Sequence, residues 1–417
     1  MTKSFHIPWG AWQNNEEYNL EFPDSWDISY FKMKDSKGIE NIDEIEKILN
    51  NPIGTSKIED LADGKKNAVI VVDDISRPTK AELIIKIILK KLNDSGISDE
   101  NITLISAIGA HRPMNRQDFI KKVGLETIER INVENHHPYE NLEYVGVSNL
   151  GTPIYINKTY YESDLKITIG SVIPHPLAGF GGGAKMVLPG ICGIETLAEN
   201  HRAGVRGIGI GIGFITDLRK DIENVCMKAG GIDFSINVVS TMNRGIAGIF
   251  PGQYIDAHRK AIEFAKEIYS TEIPSKPKFD IGFFNMFPED SELSQSVKGF
   301  NVILSSKNLL HRKSGIIFLT SSYEGRGYHS LLGETGSKLY QNWGDSMIWS
   351  AAIGKRNFGI FSPNLTKDDI YHYYPKTTIF HKNFKNMINE LEEIYGNSPK
   401  VCIFPCSIQM TTTKKSE

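Results

Sequence analysis

The apolar positions of this chain fall into short, largely apolar runs that alternate with amphipathic segments. Short apolar runs rich in β-branched residues predict buried strands, whereas apolar residues at helical spacing predict amphipathic helices. The predicted strands are residues 67–72, 102–108, 154–157, 165–169, 281–284, 315–320, 358–361 and 401–404. The predicted helices are residues 43–50, 80–92, 119–131, 255–269, 295–304, 343–353 and 383–395.

Strand, loop and helix alternate along both halves of the chain, which predicts the α/β class. We expect two domains, each a largely parallel sheet flanked by helices, with the functional site in the cleft between them. Residues 271–278 are polar and contain two prolines, so we interpret them as a linker. The first domain is then residues 1–270 and the smaller second domain residues 279–417; the sequence leaves open whether the last strand returns to the first domain.

Composition excludes several classes of protein. The chain has 417 residues, 40% of them hydrophobic, and a net charge of -3, which gives no sign of nucleic-acid or membrane binding. No apolar run approaches the roughly 18 residues of a membrane-spanning helix. The N-terminus lacks an apolar signal-peptide core, and the four cysteines show no paired spacing. We therefore expect a cytoplasmic protein.

Charged and imidazole side chains follow three of the predicted strands. Asp74 and Arg77 follow residues 67–72, His111 follows residues 102–108, and His175 follows residues 165–169. Ligands of parallel sheets bind beyond the carboxyl ends of the strands, so these residues are candidates for a site. Each also has a structural interpretation, because an Asp–Arg ion pair can close a turn and a single strand-end histidine commonly makes structural hydrogen bonds.

The segment of residues 170–201 carries the densest set of candidate residues. His175 lies between two prolines, a glycine run that includes Gly182 and Gly183 follows, and then come Lys185 and His201. Glycines allow close backbone approach, and their amides can hold an anion. A lysine amine can bind phosphate or form a covalent bond to a carbonyl carbon, and a neutral histidine can ligate a metal.

The same glycine run also nearly matches the phosphate-binding loop G-x-x-x-x-G-K-[ST]. Ala184 replaces the second glycine and Met186 replaces the hydroxyl residue that would hold magnesium. A nucleotide-binding or phosphotransfer protein that uses residues 179–185 is therefore the alternative interpretation.

Taken together and in order, these motifs resemble those of the lactate racemase family. They are Asp74-x-x-Arg77-Pro78, Gly109-x-His111-Arg112-Pro113, Pro174-His175, the glycine run up to Lys185, Leu188-Pro189-Gly190, Asn200-His201 and, more weakly, Gln295-x-x-Lys298-Gly299. The resemblance covers nearly the whole chain, and several motifs that agree in order are more specific than any one of them.

The resemblance implies a racemase or epimerase of a small 2-hydroxy acid that uses a nickel-pincer nucleotide, a nickel(II) pyridinium bisthiocarboxylic acid mononucleotide. It implies that this cofactor is attached covalently to Lys185 and that His201 completes the nickel coordination. His111 and His175 would be the acid/base pair. Asp74, Arg77, Gly182 and Gly183 would contact the cofactor or order its site, and Arg77, Gln295 and Lys298 would contact the substrate. Enzymes that make and load the cofactor would be partners, and the oligomeric state stays open.

The chemistry explains why these residue types are needed. The C2 hydrogen of a 2-hydroxy acid is a poor acid, so its removal as hydride is easier if a histidine takes the hydroxyl proton at the same time. Two enantiomers place their hydroxyls differently, so each needs its own base. The same cofactor could also serve a redox reaction without inversion. Relatives often have an aromatic residue where this chain has Ser294, which predicts a substrate larger or more polar than lactate, and the role of Trp349 cannot be assigned.

Overall fold

The computed structural model describes residues 2–13, 16–203, 213–276, 278–306, 308–330 and 353–413. The chain divides into two compact units. We call Ser36–Ile268 the central domain, and Met1–Asp35 together with Tyr269–Glu417 the terminal domain. Trp349 and nearly all of the helix predicted at residues 343–353 lie within residues 331–352, outside the described residues. Among the described residues, no helix is long and apolar enough to span a membrane.

The N-terminal residues belong to the terminal domain because their apolar side chains pack there. The strands β1 (Thr2–Trp9) and β2 (Glu16–Pro23) form an antiparallel hairpin, and β3 (Asp27–Tyr30) follows. Ile7, Leu20 and Trp26 are fully buried in the same cluster as residues of the C-terminal half. The expected domain boundaries are corrected accordingly: residues 1–35 do not join the first domain, because their packing partners are more than 200 residues away in the chain.

The central domain contains a six-stranded sheet. Its strands and those of two small hairpins are β4 (Ala68–Asp73), β5 (Ile102–Ala107), β6 (Asn132–Asn135), β7 (Leu142–Val147), β8 (Pro153–Asn157), β9 (Leu165–Ser171), β10 (Pro174–His175), β11 (Gly179–Phe180), β12 (Phe234–Ser240) and β13 (Ile246–Gly252). The strand order is β13-β12-β9-β4-β5-β6, with β13 antiparallel to β12 and the other neighbours parallel. Every residue of β4 and β9 is buried, as expected of central strands whose sequences are largely apolar.

Helices of the central domain connect these strands. They are α1 (Ile42–Leu49), α2 (Ile58–Ala62), α3 (Glu82–Asp94), α4 (Arg116–Val123), α5 (Leu125–Arg130), α6 (Lys158–Glu162), α7 (Ile194–Ala203), α8 (Asp217–Lys228) and α9 (Asp256–Ile268), with short 3-10 helices at Asp99–Asn101 and Gly183–Met186. The single helix predicted over residues 119–131 is two helices, because Gly124 between them has a φ of +85°. A positive φ is incompatible with a continuous α-helix.

The terminal domain has its own six-stranded parallel sheet. The remaining strands are β14 (Ser270–Ile273), β15 (Phe279–Asn285), β16 (Leu310–Leu319), β17 (Asn357–Phe361), β18 (Ile379–His381), β19 (Lys400–Phe404) and β20 (Met410–Thr413), and the helices are α10 (Phe300–Ser305), α11 (Lys367–Tyr373), α12 (Phe384–Tyr395) and a 3-10 helix at Leu293–Gly299. The order is β18-β17-β16-β15-β19-β3. The last predicted strand, residues 401–404, is β19, which pairs with β15 and β3 and so belongs to the terminal domain. The unpredicted β20 pairs with β14, and part of the expected linker is thus a strand.

The sheet of the terminal domain buries a separate cluster on each face. Phe284 and Phe318 belong to one cluster, whereas Phe283 and Ile317 belong to the other, which also contains side chains of the β1–β2 hairpin and of α12. Successive strand residues point to opposite faces, which explains this alternation. Both prediction and structure therefore give the α/β class, with a largely parallel sheet in each domain.

Candidate active site

A buried carboxylate–imidazole pair lies at the carboxyl edge of the central sheet. Asp74 directly follows β4 and is 3% exposed. Its Oδ2 lies 2.5 Å from Nδ1 of His111, which follows the neighbouring strand β5. The other oxygen, Oδ1, accepts hydrogen bonds from the Ser76 amide at 2.8 Å and from the Ser76 hydroxyl at 2.5 Å. The pairing of β4 with β5 thus brings together two residues that the sequence places 37 positions apart.

The surroundings of Asp74 keep its carboxylate ionised. Burial by itself would raise the pKa of Asp74, but His111, Arg77 and Ser76 outweigh it and hold that pKa well below its ordinary value. An ionised carboxylate can only accept, so Nδ1 of His111 carries the proton. The neutral His111 ring therefore has its lone pair at Nε2, which is the state of a general base.

A second buried pair holds the loop that carries Asp74 and Arg77. Lys122 of α4 is fully buried, and its Nζ lies 2.6 Å from Oδ1 of Asp73. The same ammonium donates to the backbone carbonyls of Asp74 at 2.9 Å and of Arg77 at 3.1 Å. Sequence analysis missed Lys122, because a lysine in an amphipathic helix gives no sign that it points inward. Its contacts make it a support of the Asp74–Arg77 loop.

His175 is held by backbone amides and not by a carboxylate. The amides of Leu177 and Ala178 donate to Nδ1 of His175 at 3.2 Å and 3.1 Å. Since Nδ1 accepts hydrogen bonds, the neutral ring carries its proton on Nε2. His175 and His111 are therefore both held in place at the carboxyl edge of the sheet, but by different kinds of partner.

The glycine run after His175 requires glycine for steric reasons. Gly182 and Gly183 have φ values of +70° and +56°. A Cβ on Gly182 would lie 2.8 Å from Cγ2 of Val172, and one on Gly183 would lie 2.9 Å from Cγ of His258. The amide of Gly183 donates to Oδ1 of Asn237 at 2.9 Å, so this amide, which we expected to hold an anion, is engaged within the protein.

Arg219 of α8 binds the carbonyl groups of the glycine run. Its guanidinium is fully buried and donates to the carbonyls of Ala178 at 3.4 Å, Gly182 at 3.1 Å and, more closely, Phe180. His258 adds a hydrogen bond to the carbonyl of Gly181 at 2.7 Å. Neither residue was predicted, since both lie in amphipathic helices far along the chain. Together they keep the segment that precedes Lys185 in one conformation.

His201 of α7 has the state that a metal ligand needs. Its Nδ1 lies 2.7 Å from the carbonyl of Leu197, so Nδ1 donates and the lone pair is at Nε2. Burial, with the charges of Lys185 and His111 adding to it, lowers the pKa of His201 to about 4. The ring is therefore neutral near pH 7. The influence of both groups also indicates that Lys185 and His111 lie near His201.

The predicted substrate residues of the terminal domain form a separate polar cluster. Lys298 is an ion-pair partner of Glu289, and both side chains are buried. The amide of Gln295 donates to Oε1 of Glu292 at 3.3 Å, and the hydroxyl of Ser294 makes a shorter hydrogen bond to the same oxygen. The two glutamates were not predicted, although the acidic segment directly after β15 contains both. The central domain contains the other eight predicted site residues.

No group of three or more histidine, cysteine, aspartate or glutamate side chains among the described residues is arranged to hold a metal ion. All four cysteines are buried and free, and burial raises the pKa of Cys192, which lies within the 170–201 segment. The role of His201 as a metal ligand therefore stays a prediction.

Comparison with known proteins identifies the family of this chain. The family described as "Lactate racemase N-terminal domain" matches residues 14–209. The lactate racemase of Lactiplantibacillus plantarum is 32% identical over 301 residues, which cover 69% of this chain and 68% of that protein. The chain belongs to the lactate racemase family. It is accordingly an isomerase of the racemase type.

Further relatives cover more of the chain. The lactate racemase of Thermoanaerobacterium thermosaccharolyticum is 27% identical over 394 residues, 89% of this chain and 91% of that protein. The solved structure of the lactate racemase apoprotein from that organism matches with a TM-score of 0.76 and 24% identity, covering 99% of this chain and 100% of the other. A Thermotoga maritima protein matches with a TM-score of 0.68 at 19% identity. At these identities the structural matches establish the fold.

Proposed function

We propose that this lactate racemase family member interconverts the stereoisomers of a 2-hydroxy acid with a nickel-pincer nucleotide attached to Lys185. The observation that carries the proposal is the buried Asp74–His111 pair close to the neutral His201. A base held by a carboxylate and a metal-competent imidazole are the two groups that this reaction asks of the protein.

The residues present fit the cofactor. The Nε2 lone pair of His201 suits a late transition metal, and the Leu197 carbonyl fixes the ring as hydrogen-bonded partners of metal-ligating histidines do. Lys185 is the candidate for covalent attachment, and its charge acts on His201. The chemistry that the cofactor supplies is a reversible acceptor for the C2 hydrogen as hydride.

The residues of this chain supply the proton chemistry and the orientation. His111 takes the hydroxyl proton of one enantiomer at Nε2, and Asp74 stabilises the imidazolium that forms. His175 serves the hydroxyl of the other enantiomer. Arg77, whose Nη1 donates to the Ser76 hydroxyl at 3.2 Å, is the candidate for binding the substrate carboxylate. Lys298 and Gln295 are substrate residues on the strength of the resemblance, and Gly182 allows the backbone to approach the cofactor closely.

The substrate that we propose carries hydroxyl groups beyond C2, as a sugar acid does. Ser294, Gln295 and Glu292 form a buried hydrogen-bonded group, and such a polar group suits a substrate hydroxyl better than a methyl group. A hydroxy diacid is disfavoured, because the Glu292 carboxylate would repel a second carboxylate. Exchange of Ser294 for tyrosine should then shift preference toward lactate.

The test uses the full chain expressed together with the enzymes that make the cofactor. Intact mass should show an adduct that Lys185→Ala abolishes and Lys121→Ala, an exposed matched control, retains. Enantiopure 2-hydroxy acids should lose optical activity without net oxidation, with sugar acids converted faster than lactate. An adduct on a protein that oxidises but does not racemise any acid would favour the redox alternative, and a protein without adduct would contradict the proposal.

The phosphate-loop alternative receives less support from the geometry. The amides of Gly181 and Gly183 donate to the Ile173 carbonyl at 2.7 Å and to Asn237 at 2.9 Å. A loop that cradles nucleotide phosphates needs such amides for the ligand. Tight binding of a nucleoside triphosphate by the cofactor-free protein would revive this alternative.

A further inference from the structure

The two histidines of the proposed acid/base pair are held in opposite tautomers. Nδ1 of His111 donates to Asp74, which leaves a lone pair at Nε2. Nδ1 of His175 accepts from the Leu177 and Ala178 amides, which leaves a proton at Nε2. An imidazolium carries protons on both nitrogens, so these two amides also disfavour a charged His175. The tautomer of His175 therefore depends on how the Leu177 and Ala178 amides are held in place.

A chain of hydrogen bonds connects His175 to the N-terminus of α8. Thr216 is the N-cap of α8, and its Oγ1 accepts from the Arg219 amide at 3.1 Å. The Thr216 hydroxyl donates to the carbonyl of Leu177 at 2.9 Å. That carbonyl and the amide of Ala178 belong to the same peptide group, and the amide donates to Nδ1 of His175 at 3.1 Å.

Each hydrogen bond in this series strengthens the next one. A peptide group whose carbonyl accepts a hydrogen bond becomes a better donor at its amide, because hydrogen bonds in series polarise one another. These hydrogen bonds are largely shielded from water, since Thr216 is 8% exposed and the carbonyl of Ala178 is also bound by Arg219. The Thr216 oxygen accepts from the Arg219 amide while its hydroxyl donates to Leu177, so the helix cap holds the hydroxyl oxygen in position.

We propose that Thr216 is a positioning residue that holds His175 in its Nε2–H tautomer through the Leu177–Ala178 peptide group. His175 then meets the substrate oxygen as a neutral hydrogen-bond donor, while His111 meets it as an acceptor. The catalytic consequence rests on the proposed function, but the tautomer assignment does not. The pair is therefore unequal at rest, and His175 must release the Leu177 and Ala178 amides and transfer its proton from Nε2 to Nδ1 before Nε2 can act as a base.

The test uses the full-length chain with isotope-labelled histidine. Nitrogen chemical shifts distinguish a protonated from an unprotonated ring nitrogen, and His111→Gln and His175→Gln assign the two signals. In the native protein, His175 should show an unprotonated Nδ1 and a protonated Nε2, and His111 the reverse. A protonated Nδ1 on His175 would overturn the proposal.

Variants of Thr216 separate its hydrogen bond from its role as a helix cap. Thr216→Asp keeps an oxygen that caps α8 but cannot donate to Leu177, so it should shift the His175 signals toward the other tautomer. Thr216→Ser keeps both roles and should retain the native signals. The matched control is Thr366→Val, which removes a threonine N-cap of α11 that contacts only its own helix. Native signals in Thr216→Asp would contradict the proposal.

Kinetics of the cofactor-loaded protein complete the test. Thr216→Asp should lower kcat about fivefold to tenfold, the effect of one hydrogen bond, with little change in KM. Thr216→Ser and Thr366→Val should stay near the native rate. Altered His175 signals in a protein that never racemises an acid would refute the proposed function and leave the tautomer assignment standing. Native racemase activity and native signals in Thr216→Asp would refute this inference alone.

Discussion

The strongest prediction concerns Asp74→Asn, which removes one charge and keeps the shape of the side chain. Two Ser76 donors, the amide at 2.8 Å and the hydroxyl at 2.5 Å, point at Oδ1 of Asp74. The backbone amide can only donate, so the asparagine oxygen must take this position. The asparagine NH₂ then faces Nδ1 of His111 at the place of the present 2.5 Å contact.

An NH₂ group beside Nδ1 forces His111 into the Nε2–H tautomer, so the base is lost while the ring stays in place. General acid–base groups contribute about 100-fold to 10,000-fold to rates, and we expect Asp74→Asn to lower kcat/KM by a factor within that range. The charge-assisted hydrogen bond is worth ~1.5–3 kcal/mol, but the neutral asparagine also avoids the desolvation of a buried charge. The free energy of unfolding should therefore change less than the rate suggests.

The assay compares the native protein with the Asp74→Asn and Ser76→Ala variants after each has been loaded with the cofactor. Intact mass should show the adduct on all three, and polarimetry gives the racemisation rate. Ser76→Ala is the comparison, because it removes a hydroxyl that contacts Asp74, His111 and Arg77 but leaves the Asp74 carboxylate facing His111. The reasoning is refuted if Asp74→Asn carries the adduct and racemises within threefold of the native rate, or if His111 keeps a protonated Nδ1.

Three further predictions concern stability and cofactor loading. Lys122→Met should lower the free energy of unfolding by about 3–5 kcal/mol, because its partner carboxylate stays buried without a countercharge, whereas Lys121→Met should change it by less than about 0.5 kcal/mol. Gly182→Ala should lower stability and adduct formation more than Gly231→Ala, since both glycines have a φ of +70° but only the first Cβ would meet a neighbour closely. His136→Gln should flatten the fall in stability between pH 6.5 and about 4, because burial lowers the pKa of His136 to about 4.

The sign of the pH effect follows from proton binding. Between the ordinary pKa of 6.5 and the folded value of about 4, the unfolded chain binds a proton that folded His136 does not. The contribution is therefore fully present above pH 6.5 and is lost as the pH falls. Thermal unfolding of the cofactor-free chain measures it, and an unchanged slope in the variant would count against it. Chemical denaturation decides the lysine comparison, and equal effects of the two glycine variants would remove the steric argument.

Sequence patterns were sufficient wherever the relevant contacts are local or repetitive. The strands β4, β5 and β9 were predicted from largely apolar runs, as is typical of parallel strands covered on both faces, and the structure confirms them. The candidate residues that follow these strands share one edge because parallel strands end on the same side. The break in the helix predicted at residues 119–131 was not recognised, since it depends on the single residue Gly124 and no neighbouring residue signals it.

Long-range packing decided the rest. The sequence by itself predicted the α/β class, the strands β4, β5 and β9 of the central sheet, and the motifs of His111, His175, Lys185 and His201 that resemble the lactate racemase family. Only the tertiary structure showed the strands β6, β12 and β13 of the same sheet, the packing of residues 1–35 with the C-terminal half, and the inward direction of Lys122 and Arg219. It also supplied the hydrogen bonds that decide which ring nitrogen of His111, His175 and His201 carries the proton. These features depend on contacts between residues far apart in the chain, and a local pattern of apolar and polar positions carries no information about such partners.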